Sequence, residues 1–225
     1  MNPSLATWLW LIVLIPSITF HEFMHGYAAY LLGDPTAKNA GRLTLNPIKS
    51  IDPFGTVLLP LVMFLSGGPI FGYAKPVPYN PMYFKNLRQG EIIVGFAGPS
   101  ANLALAAFGA AMAWVAVVLA PVSSGLASAL FVVGYVLAEA NLVLMFFNLI
   151  PIPPLDGSSI VPIFLPDNML RGWYGIQRYA FVIFIGLVFL LPTLLQAIGL
   201  PGVDPLGWYL EHTAFAVLHL IMPGV

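Results

Sequence analysis

The chain has 225 residues, of which 59% are hydrophobic and 8% charged, with a formal net charge of −1 and no cysteine. A soluble domain carries about 25% charged residues, so this balance excludes an ordinary soluble globule and points to a polytopic helical membrane protein. It also excludes a basic nucleic-acid surface, disulfides, thiolate metal ligands and a cysteine nucleophile.

The first apolar stretch, residues 5–32, predicts a transmembrane helix that ends at the stop signal Gly33-Asp34-Pro35. No basic region precedes it, so it is expected to be retained and not cleaved as a signal peptide. Within it, His21, Glu22 and His25 are the only acidic, basic or imidazole side chains. Histidines four apart project from one helix face, where both rings can reach one Zn²⁺, and the glutamate between them is placed to take a proton from water at that metal. The pattern arises by chance in many soluble helices. In hydrocarbon such groups are costly, and their presence points to function.

Residues 36–88 are mixed and rich in Gly and Pro. The apolar segment 54–65 is too short to span, so it reads as re-entrant or peripheral. Gly41–Leu45 and Gly72–Val77 read as short β segments, the second able to offer an edge to an extended peptide. Further helices are expected at residues 92–119, 126–149, 175–198 and 206–222. The expected fold is therefore an all-α polytopic membrane protein of about five transmembrane helices. One domain fills residues 1–225, with a core at about 5–157 and the last two helices accessory.

If residues 54–65 do not cross, all eight basic residues fall on one side: Lys38, Arg42, Lys49, Lys75, Lys85, Arg88, Arg171 and Arg178. The positive-inside rule makes that side cytoplasmic, with the N-terminus outside. His21 and His25 then lie roughly 10–17 Å below the cytoplasmic surface at about 1.5 Å rise per residue. The helix at 126–149 runs parallel to the first and ends at the same face. It ends in Phe147-Asn148-Leu149-Ile150-Pro151-Ile152-Pro153-Pro154-Leu155-Asp156-Gly157, where the prolines prevent a regular helix. Asp156 is a natural third ligand, completing a two-His, one-carboxylate set and leaving a fourth position for water. Taken alone, the segment reads more readily as an ordinary proline-rich helix exit with Asp in a turn; paired with the first motif at matching depth, the ligand reading is preferred.

Together the two motifs resemble the site-2 protease family of intramembrane zinc metalloproteases, which share a His-Glu-x-x-His helix and a later Asn…Pro…Leu-Asp-Gly segment. The resemblance covers roughly residues 5–157 and implies one Zn²⁺ per chain held by His21, His25 and Asp156, with Glu22 as general base. It further implies that Asn148 holds substrate or the developing oxyanion. Ala97-Gly98-Pro99-Ser100-Ala101-Asn102 resembles a segment of the family at the start of the intervening helix. An extra preceding helix found in some members, and PDZ-like or nucleotide-sensing domains, are not expected, so the chain reads as a minimal core.

Other polar residues have competing readings. Asn102 could contact substrate or tie helices together. Glu139 suits a structural or hydration role, and Trp8, Trp10, Trp173 and Trp208 suit interfacial anchoring. His212 and His219, seven apart, could gate access or bind an inhibitory metal, or simply be satisfied interfacial histidines. The expected function is zinc-dependent hydrolysis of peptide bonds in or near transmembrane segments of membrane proteins. The expected partners are those proteins and the lipid bilayer, with no nucleic acid and the oligomeric state left open. The expected location is the inner membrane of a prokaryotic cell, with the active site toward the cytoplasm. The alternative is a metal-ion transporter or metal-binding membrane protein, which leaves Glu22 without a purpose and lacks the inverted repeat many transporters show.

Overall fold

The computed structural model describes residues 3–58, 74–186, 190–199 and 204–224. By packing, the chain divides into two units, Met1–Ala101 and Asn102–Val225. Three described helices are long and apolar enough to cross a membrane: α1 (Pro3–Leu31), α2 (Leu87–Leu119) and α3 (Ser124–Asn148).

In the first unit, α1 carries Pro16 within its span, and the hydroxyls of Ser17 and Thr19 donate back to the Val13 and Ile15 carbonyls, each at 2.8 Å. Such back-bonding lets hydroxyls sit on an apolar helix without orphaned polar atoms. The helix stops where glycine permits it to: Gly33 adopts φ +99°, its amide bonds the Tyr30 carbonyl, and the Asp34 amide bonds that of Ala29. This is a Schellman ending, and it satisfies two carbonyls that a helix end would leave bare. Ala28 and Ala29 of α1 pack with Phe84 and with Val94 of α2.

No strand forms among the described residues, so the β segments expected between the first two helices are not seen there. Residues 41–45 make a turn and bends, and 74–80 run extended without a pairing partner strand. The Arg42 side chain donates to the Lys75 carbonyl instead, and the Lys75 amide to Ser50, so polar groups are met singly and no ladder forms. Residues 72–73 lie outside the described residues. So do residues 59–65 of the apolar segment; its start, Pro53–Leu58, is a wide π-helical turn.

In the second unit, α3 packs against the later part of α2 through small residues. A Cβ at Gly109 would lie 2.6 Å from the Gly134 carbonyl oxygen, so the two backbones are in contact. Close approach of this kind is how helices associate where lipid offers no hydrophobic drive. The fully buried pair Asn102 and Asn141 adds a 2.8 Å amide bond, and Asn141 also donates to the Leu137 carbonyl. The C-terminal helical stretch Pro205–Ile221, with a π turn at Glu211–Phe215, inserts Ala214 and Leu218 into the same core. Its ends are tied by Tyr209 to the Phe146 carbonyl and by Trp114 to the Ile221 carbonyl.

The expected helix at 175–198 is not continuous. Helix α4 (Asp167–Gln177) begins earlier and is followed by a turn at Arg178–Tyr179, where the Tyr179 amide bonds the Ile176 carbonyl. Helical pieces Ala180–Ile185 and Leu191–Ala197 follow. In α4 the charged Asp167 and Arg171 share a short helix with Met169, Trp173 and Ile176, a composition that suits an interface better than a hydrocarbon span.

Candidate metal centre and catalytic residues

Within the first unit, the second half of α1 and the first turns of α2 hold a histidine pair. His21 and His25 lie one helical turn apart and both are buried. Their Nε2 atoms are 3.0 Å apart. Two imidazoles sharing a tetrahedral zinc at about 2.0–2.1 Å would place their nitrogens about 3.3 Å apart, so the pair is spaced for one ion. The Nδ1 of His25 is 2.6 Å from the Val94 carbonyl oxygen of α2. A carbonyl can only accept, so Nδ1 carries the proton and Nε2 presents its lone pair toward His21. Fixing tautomer and ring angle through the second nitrogen is a general feature of metal-binding histidines.

Gly98 makes room for this arrangement. A Cβ there would meet Nε2 of both histidines at well under 3.0 Å. Any larger residue would occupy the space beside the two Nε2 atoms. The donor chemistry, the spacing and the cradle at Gly98 all fit a zinc ion.

Glu22 projects from the same helix and is half-buried. Its Oε2 accepts a 3.0 Å hydrogen bond from the backbone N–H of Val77, in the extended segment 74–80. Val77 is seated on Gly26 of α1, where a Cβ would lie 2.7 Å from Val77 Cγ1. A carboxylate held by a peptide N–H on one oxygen keeps its orientation and retains acceptor capacity for a water proton.

Asn148 and Asp156 belong to the second unit. Helix α3 ends at Asn148, whose side-chain amide donates to the Leu144 carbonyl at 3.0 Å. Beyond it the chain descends in tight turns: Ile152 bonds Ile150, Leu155 bonds Ile152 and Ser158 bonds Leu155. Local turns replace the helical ladder that the prolines forbid. Asp156 opens a 3₁₀ turn, Asp156–Ile160, in which the Ser159 hydroxyl donates to the Asp156 carbonyl at 2.7 Å. Gly157 is buried, and a Cβ there would collide with the Leu149 carbonyl. Glycine after Asp156 thus lets the loop fold back onto the end of α3, which sets where the aspartate stands.

Three contributors were not legible in the motif itself: the Val94 carbonyl, the Val77 amide and Gly98. The first two are main-chain groups, which no residue type announces. Gly98 lies in the Ala97–Asn102 stretch singled out above, without a stated role. Asn102 is engaged with Asn141 in the helix packing described above, and His212 and His219 are exposed, each bonded to a carbonyl of its own helix.

No family model and no solved structure matches the chain. Curated relatives do. Over 179 residues the chain is 42% identical to the protein named "Putative zinc metalloprotease YwhC" of Bacillus subtilis, a match covering 77% of each chain. It is 33% identical over 174 residues to Rip2 of Mycolicibacterium smegmatis, named in the same way, covering 76% of this chain and 63% of that one. The Rip2 of Mycobacterium tuberculosis is 31% identical over 179 residues, covering 79% and 65%. A buried histidine pair with a glutamate between them, oriented for one zinc, is the chemistry those names describe, and the chain belongs to the zinc metalloprotease family that includes YwhC.

Proposed function

We propose that this metalloprotease is a minimal member of the site-2 protease class, cleaving peptide bonds within or beside the transmembrane segments of membrane proteins. The observation that carries the reading is the placement of the His21–His25 pair. It is buried on α1, a helix long and apolar enough to cross a bilayer, with Glu22 between the two ligands. Six to ten residues separate the histidines from the end of α1 at Leu31, about 9–15 Å of helix rise. With the basic residues on the cytoplasmic side, the site opens toward the cytoplasm of a prokaryotic inner membrane, with the N-terminus outside.

In this reading His21, His25 and Asp156 hold one zinc per chain. A zinc ion held there would supply Lewis acidity, making water more acidic and a carbonyl more electrophilic. Glu22, steadied at Oε2 by Val77, takes a proton from the attacking water and returns it to the leaving amine. Asn148 stands at the end of α3, close in sequence to Asp156, and is assigned to holding the substrate strand or the oxyanion. Asn102 is assigned to tying helices, because its amide is committed to Asn141. A regular helix hides its carbonyls, so the substrate must unwind locally, and Gly- or Pro-containing segments are cleaved best. The metal-transport alternative loses ground because the relatives are named metalloproteases and because Glu22 has a role only in hydrolysis.

The test is to reconstitute the zinc-loaded protein with fluorogenic peptides that contain a transmembrane helix and to map the cut by mass spectrometry. Cleavage within or a few residues from the apolar stretch is expected. Cutting confined to soluble peptides, or zinc flux without cutting, would overturn the proposal.

A further inference from the structure

Two carboxylates of the first unit grip the same extended segment. Asp34, fully buried at the end of α1, accepts from the amide and hydroxyl of Thr36 through Oδ1, and from the Asn80 amide through Oδ2 at 2.6 Å. Glu22, twelve residues earlier and on α1 itself, accepts from the Val77 amide. Around the anchor at Val77 the sequence is Pro76-Val77-Pro78. Prolines on both sides restrict the backbone to extended conformations and carry no N–H, so Val77 supplies the one amide of the triplet. Val77 is also buried, with its side chain against Gly26 of α1. Downstream, Phe84 fills the space left by Gly90 of α2 and stacks with Tyr79, holding the far end of the segment.

Burying Asp34 is expensive unless its oxygens are met by donors; Thr36, two residues on, supplies two of them and the Asn80 amide of the segment supplies the third. The arrangement is more than a turn cap. It sets the register of residues 77–80 along α1, and with it the Val77 amide that reaches Glu22.

We propose that Val77 is a positioning residue for hydrolysis: its backbone N–H, delivered by the rigid Pro76-Val77-Pro78 triplet and the Asp34 clamp, aims the Glu22 carboxylate. The inference rests on Glu22 being the base. The amide engages Oε2, which directs the remaining acceptor capacity of the carboxylate toward the proton to be moved. A base that swings loses the alignment on which proton transfer depends. The role belongs to a main-chain group, so the side chain of Val77 should matter far less than its nitrogen.

That difference is the experiment. Val77→Pro removes the N–H and preserves an extended backbone; Val77→Ala removes side-chain packing and preserves the N–H. In the zinc-loaded full chain, assayed on one transmembrane peptide, Val77→Pro should lower kcat by about 10- to 100-fold, the scale of a charge-assisted hydrogen bond. KM and bound zinc should be unchanged, and Val77→Ala should stay within about threefold of the parent. Asp34→Asn replaces an acceptor with a donor facing a donor; it should show the same fall in kcat at constant KM, and it serves where Val77→Pro does not fold. Equal kcat for Val77→Pro and the parent would overturn the proposal, as would equal losses in the proline and alanine variants. A rise in kcat would also overturn it, since that would make the segment a cover over the base. Full activity in Glu22→Gln would remove the base reading itself, which separates the two failures.

Discussion

Glycine does different work at two places on α2. In the first unit, Gly98 leaves room for two imidazole nitrogens, and in the second, Gly109 leaves room for the backbone of α3 at Gly134. In one place the space serves chemistry; in the other it serves helix association. The surroundings differ accordingly. Around Gly98 the contacts are polar and directional, with the Val94 carbonyl on His25 and the two rings edge to face at 4.6 Å. Around Gly109 they are alanines, with a single amide pair, Asn102–Asn141, fixing the partner. A methyl group added at each should therefore break different things.

The largest effect is expected at Gly98. Gly98→Ala puts a carbon onto Nε2 of both histidines, so bound zinc and peptide cleavage should each fall by about 100-fold, the upper end of what disturbing a metal ligand's surroundings costs. Zinc content by atomic absorption checks this; retained zinc would show that α2 can yield there. Gly109→Ala should instead lower resistance to unfolding by about 1–3 kcal/mol, because the methyl faces backbone and not a flexible side chain. Zinc per folded molecule should be unchanged. Loss of zinc without loss of stability would erase the distinction between the two glycines. The smallest effect belongs to the amide pair: Asn141→Leu and Asn102→Leu should each cost about 0.5–2 kcal/mol, and a double-mutant cycle should show the double variant costing less than the sum. Additive costs would mean that the pair does not act as a unit.

The parts of the fold that repeat in sequence were legible. Three long apolar helices, the His21–His25 face, and the proline-broken exit of α3 follow from periodicity, spacing and missing donors, all local properties. The β segments were not borne out because the polar groups of residues 74–80 are answered by α1 carboxylates and a loop carbonyl. Short runs of extended residues do not reveal what will pair with them. Asp34 read as a helix stop, which it is. Its burial and its hold on Asn80 depend on a residue 46 positions away, and no local pattern encodes that. The turn at Arg178–Tyr179 was missed because hydropathy averages over it. The assignment of His21, Glu22, His25 and Asp156 stands on residue chemistry together with the family resemblance, and the orientation of the glutamate and of His25 came only with the coordinates.

The most direct measurement pairs Glu22→Gln with the parent chain, both loaded with zinc and given the same transmembrane peptide. Gln keeps the size of the side chain and its ability to accept from the Val77 amide, but cannot take a proton. Unchanged zinc content with cleavage reduced by at least about 1,000-fold is the predicted result, in line with removal of a general base. Equal cleavage by the two proteins would contradict it.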